Sequence, residues 1–83
     1  MALSRILVVD DEETQREMLG GFLKKEGYSV SLADSGEEAL KICQDKFFEV
    51  ALLDLKMPGM DGIGLLTKLK EINPEIQVIV MTA

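Results

Sequence analysis

Histidine and tryptophan are missing from this 83-residue sequence, and cysteine occurs once. The lone Cys43 excludes an internal disulfide and fits a reducing, cytoplasmic setting. With no imidazole to activate it, Cys43 reads as a small core residue on one helix face with Ala39 and Leu40, not as a nucleophile. No stretch approaches the ~20 apolar residues of a membrane span. The N-terminal segment, with one Arg and a short apolar run, reads as a strand and not as a secretory signal. Basic residues are few and scattered, nine against fifteen acids, for a net charge of −6. They form no stripe and have no aromatic interleaving, so direct nucleic-acid contact is not expected. Repeats, linkers and low-complexity segments are also lacking. Eighty-three residues suit one small domain.

What the chain does have is acid placed at the ends of apolar runs. Val50-Ala51-Leu52-Leu53 leads straight into Asp54, followed by the loop Leu55-Lys56-Met57-Pro58-Gly59-Met60-Asp61-Gly62. Ile6-Leu7-Val8-Val9 leads in the same way into Asp10-Asp11. An acid that ends a buried strand is held on rigid backbone at the rim of a sheet, where a ligand can reach it. Each feature also has a plainer reading. The acidic run Asp10 to Glu13 can simply start a helix, and a strand-ending Asp54 can be a turn residue.

Strand and helix patterns alternate along the sequence. Ile6 to Val9 is a continuous apolar run, as in a strand buried on both faces. A helix from Asp11 or Glu12 to Glu26 carries Gln15, Met18, Leu19, Phe22 and Leu23 at helical spacing and stops at Gly27. Tyr28 to Ala33 is a strand, and Asp34 or Ser35 caps a helix with Ala39, Leu40 and Cys43 inward. Val50 to Leu53 is a third strand, Gly62 to Ile72 a third helix ended by Asn73-Pro74, and Gln77 to Met81 a fourth strand. The order βαβαβαβ implies an α/β fold: an open parallel sheet with helices on both faces and its ligand site at the carboxyl ends of the strands. If the first and third strands are neighbours, Asp10, Asp11 and Asp54 meet there. Three carboxylates in one crevice repel each other unless protons or a cation join them. Mg²⁺ suits such an oxygen site, and an aspartate beside it can attack phosphorus in line to give an acyl phosphate.

These motifs resemble the receiver domain of two-component response regulators. The likeness rests on Val-Val-Asp-Asp-Glu at 8–12, Ser-Gly-Glu-Glu-Ala-Leu at 35–40, Leu-Leu-Asp-Leu-Lys-Met-Pro-Gly-Met-Asp-Gly at 52–62 and Val-Ile-Val-Met-Thr-Ala at 78–83. It implies a flavodoxin-like sheet with strand order 2-1-3-4. It further implies that Asp54 is the phosphoacceptor and that Asp10, Asp11, Asp54 and the Lys56 carbonyl hold Mg²⁺. Thr82 matches the switch hydroxyl, and Pro58 and Gly62 match residues that shape the loop. A histidine kinase is the implied phosphoryl donor and an output domain, by weak analogy transcriptional, the implied target.

Departures from the family pattern set further expectations. Members continue with a fourth helix, a fifth strand and a fifth helix, whereas residues 1–83 read as a receiver truncated after its fourth strand. The Lys that ends the fifth strand and contacts the phosphoryl group has no counterpart here. An unpaired, apolar Gln77–Met81 edge is expected to promote self-association, and part of the Met18–Phe22 stripe to lie bare. The alternative function is a phosphorylation-incompetent structural or oligomerising fragment. An aspartate-nucleophile phosphatase is disfavoured, because such enzymes want a second Asp two residues after the nucleophile, where this chain has Lys56.

Overall fold

The computed structural model describes residues 4–54 and 62–81. Aliphatic runs become its strands and the segments with helical spacing its helices, in the order β1 (Arg5–Val9), α1 (Glu13–Lys25), β2 (Ser29–Ala33), α2 (Gly36–Asp45), β3 (Val50–Asp54), α3 (Gly62–Ile72) and β4 (Gln77–Met81). All pairings are parallel and the strand order is β2-β1-β3-β4. This is the flavodoxin-like sheet that the sequence implies. β1 lies inside the sheet between β2 and β3, which explains why Ile6–Val9 is apolar without alternation and buried throughout.

Side chains alternate across the sheet. Leu7 and Val9 join Ala33, Ala51 and Leu53 in a core that Ala39 of α2 and Leu65 and Leu69 of α3 close from one side. Cys43 packs against the same core, half-buried, and burial pushes its thiol pKa up. The opposite side carries α1, whose Gly20 lies against Leu32 of β2.

Local signals set the helix ends. Ser35 accepts the Glu38 N–H at 3.1 Å, and the Glu38 carboxylate reaches back to the Asp34 N–H at 2.8 Å, a variant of the reciprocal capping box. Ser35 is therefore the cap of α2, not Asp34. α1 ends at Lys25 and the chain turns away at Gly27, whose φ of 99° suits a residue without Cβ; the Gly27 and Tyr28 N–H groups return to Lys24 and Leu23 carbonyls. α1 starts later than its acids suggest, at Glu13, and the Glu12 side chain makes no capping bond.

Of the apolar residues at helical spacing in α1, Leu19 and Leu23 turn inward, and the Met18–Phe22 stripe lies bare, as expected of part of it. The helix's sheet-facing line is Arg16, Leu19, Gly20 and Leu23, while Met18 and Phe22 are 70% and 61% exposed. Gly20 lets the helix approach Leu32 closely, and that contact fixes which face turns inward. At the amino ends of β3 and β4, Asn73 donates to the Phe48 carbonyl and Lys70 to that of Ile76. A cavity of 280 Å³ opens there between the C-terminal ends of α2 and α3, at the opposite end of the strands from the acids.

Candidate functional site

The register decides which acids meet. Val9 pairs with Ala33 on one side and Leu53 on the other, so the residues that follow β1 leave the sheet beside the end of β3. Asp10 continues the ladder by one bond, its N–H donating to the Ala33 carbonyl at 3.1 Å. Asp54 is the last residue of β3. One carboxylate oxygen each from Asp10, Asp11 and Asp54 lies within 4.8 Å of the others. Asp10 is buried, Asp54 half-buried and Asp11 exposed, so the cluster reaches solvent at Asp11.

Asp10 is bound on every side but one. Its carbonyl accepts from Arg16 Nη1 at 2.8 Å, and its Oδ1 accepts the Glu12 N–H at 2.9 Å. Oδ2 is buried with no hydrogen-bond partner among the described residues. Burial pushes the Asp10 pKa up; the Glu12 N–H opposes this, and the neighbouring Asp54 and Asp11 carboxylates reinforce it. A buried acceptor left unmatched costs about 1–3 kcal/mol, more when charged. A buried carboxylate oxygen without a partner among the described residues, on an acid clustered with two further carboxylates, is the arrangement that a hard cation relieves. The donors are all oxygen and two of the three acids are at least partly accessible, which suits Mg²⁺ retaining several waters. The residues present therefore fit the metal that the sequence motifs imply.

Of the sequence candidates, Asp10, Asp11 and Asp54 are brought together. Lys56 and Thr82 lie outside the described residues, as do Pro58 and Asp61. Gly62 is buried and opens α3. Sequence reasoning missed Arg16. Its signal was available as a basic residue on the same line as Leu19, Gly20 and Leu23, where an exposed charge would be out of place.

The profile of the response regulator receiver domain matches residues 6–83. The chain belongs to that family. Sporulation initiation phosphotransferase F of Bacillus subtilis is 43% identical over 83 residues, which is all of this chain and 67% of that protein. Transcriptional regulatory protein ZraR of Escherichia coli is 44% identical over 78 residues, 94% of this chain. The receiver sequence here spans only 18% of ZraR. The crystal structure of the Thermotoga maritima response regulator TrrA in complex with Mg(2+)-BeF superposes with a TM-score of 0.90 at 38% identity, over 98% of this chain and 70% of that one. At such identity and overlap the likeness covers sequence as well as fold, and the receiver family binds Mg²⁺ at an acidic pocket of this kind.

Proposed function

We propose that this receiver accepts a phosphoryl group on Asp54 in a two-component phosphorelay, with a histidine kinase as donor and Mg²⁺ as cofactor. The observation that carries this reading is the cluster of Asp10, Asp11 and Asp54, one carboxylate oxygen of each within 4.8 Å of the others, together with an Asp10 Oδ2 that is buried with no hydrogen-bond partner among the described residues. Asp10, Asp11 and Asp54 would hold Mg²⁺, with the Lys56 carbonyl added on the strength of the family motif. Bound there, Mg²⁺ would neutralise charge on the entering phosphoryl group. Asp54 supplies the nucleophile: a carboxylate oxygen forms a bond to phosphorus while the bond from phosphorus to the donor breaks, and the electron pair leaves with the donor. Thr82 is assigned the switch hydroxyl on the same motif evidence. Receiver domains are generally phosphoacceptors and not turnover enzymes, and we assign this chain that role in a cytoplasmic setting. Among the described residues no helix is long and apolar enough to cross a membrane. The relatives' names support a transcriptional or relay output, which would lie outside these residues.

The test is intact-mass spectrometry after incubation with acetyl phosphate, with and without Mg²⁺, beside Asp54→Ala. A gain of one phosphoryl group that needs both Mg²⁺ and Asp54 is expected. No gain in a sample that circular dichroism shows to be folded would leave the structural reading. One observation favours that second reading for the 83-residue chain. β4 is an edge strand, with Ile79 and Val80 exposed, and such an edge can pair with a second copy. A monomer mass in light scattering that does not change with concentration would remove it.

A further inference from the structure

Beyond the three acids, the geometry gives one more residue a part in the site. We propose that Arg16 is a positioning residue that fixes the Asp10 carboxylate for cation binding; this rests on the metal site assigned above. Four groups of Asp10 can make hydrogen bonds, and three are engaged by the protein. The N–H donates to Ala33, Oδ1 accepts from Glu12, and the carbonyl accepts from Arg16 Nη1 at 2.8 Å. Only Oδ2 has no partner among the described residues; it is buried, and its carboxylate belongs to the acid cluster. The Ala33 and Glu12 bonds come from backbone, so they form wherever β1 and the start of α1 form. The Arg16 bond is the side-chain contribution, and its residue type is open to selection.

Its position makes the bond effective. Arg16 is half-buried one turn into α1, and its own N–H donates to the Glu12 carbonyl at 2.9 Å. The guanidinium reaches back across the turn to the carbonyl of the residue that leaves β1. One residue thus closes the first turn of α1 through its N–H and ties that turn to the end of β1 through its side chain. A charge-assisted bond at this distance restrains the Asp10 peptide. Rotation of that peptide would carry the carboxylate out of register with Asp54 and break the Glu12 contact. The same guanidinium also brings positive charge towards the acids. Positioning and charge therefore predict opposite effects on cation affinity when Arg16 is neutralised.

The experiment compares Arg16→Gln and Arg16→Lys with the parent chain in two assays. One is calorimetric titration with Mg²⁺. The other is amide exchange at Glu12 relative to β1 core amides in metal-free protein. Partners behind a metal ligand typically change affinity about 10–100-fold. Arg16→Gln is expected to weaken Mg²⁺ binding roughly tenfold and to accelerate Glu12 exchange selectively, and Arg16→Lys to recover most of both. Tighter or unchanged Mg²⁺ binding in Arg16→Gln would overturn the proposal and leave charge repulsion as the residue's effect. Glu12 exchange that changes no more than the core would overturn it as well. If the parent chain binds no Mg²⁺, the metal assignment itself fails. The Glu12 exchange of the two variants then decides the positioning role alone.

Discussion

Two rows of side chains cross the sheet one residue apart and end very differently. Ala33, Val9 and Leu53 face α2 and α3 and are fully buried, with only Val80 at the edge partly open. On the other face, Leu32, Val8, Leu52 and Ile79 become less covered from the centre towards β4: Val8 is buried, Leu52 half-buried and Ile79 exposed. One helix, α1, covers that second row, and it sits over β1 and β2. The first face holds the fold together. The second leaves Met18 and Phe22 of α1 and Ile79 of β4 exposed to solvent.

Adjacent residues of β3 give the sharpest way to break this comparison. Leu53→Ala is expected to cost about 2–5 kcal/mol, a deletion from a closed core. Leu52→Ala should cost clearly less, on the order of 1–2 kcal/mol, because part of that side chain already meets water. Urea denaturation of both variants measures the difference, and equal losses would mean that the two faces are equally closed.

The end of the covered row offers a second test with the opposite sign. Asp10 follows Val9 into a position as buried as the core, yet it carries an oxygen with no hydrogen-bond partner among the described residues and stands beside two more acids. Asp10→Asn removes the charge and introduces a donor that can meet Asp54. The metal-free protein is expected to become more stable by about 1–3 kcal/mol and to lose its stabilisation by Mg²⁺. Thermal melts with and without Mg²⁺ read both effects together.

The smallest effect separates Gly20 from Gly21. A Cβ at Gly21 meets nothing within 4 Å, so Gly21→Ala should gain up to about 1 kcal/mol of helix propensity. At Gly20 the new methyl would lie 2.7 Å from Leu32 Cδ2, which must move aside. Gly20→Ala should therefore gain less or lose, and the gap between the two in urea midpoints measures how tightly α1 is seated.

Much of this was legible before any coordinates. Runs such as Ile6–Val9 and Val50–Leu53 are too apolar for anything but buried strands, and the acids that end them had to lie at one rim once β1 and β3 paired. Gly27 announced its helix end through local backbone freedom, and the Asp34-Ser35 pair announced the start of α2, although only the structure chose Ser35 as the cap. The rotation of α1 was legible only in part: the Met18–Phe22 stripe was expected to lie partly bare, but its spacing is as apolar as that of Leu19 and Leu23 and does not show how the helix is seated. The choice between stripes falls to the close Gly20–Leu32 approach, a property of two elements and not of either sequence segment. Arg16 stood out by its place on the line of Leu19, Gly20 and Leu23, but its partner could not be named from sequence, because a main-chain carbonyl leaves no mark on residue type.

The Val9–Leu53 pairing has a consequence for assembly. Asp10 and Asp54 lie far apart along the chain and are joined only by a parallel ladder, which no tight turn can set. Sliding β3 by one residue against β1 would turn every β3 side chain to the other face and carry Asp54 away from Asp10. Cation binding would therefore select one alignment of the two strands over its neighbours. The acidic rim would serve as a checkpoint for the topology as well as a place for chemistry.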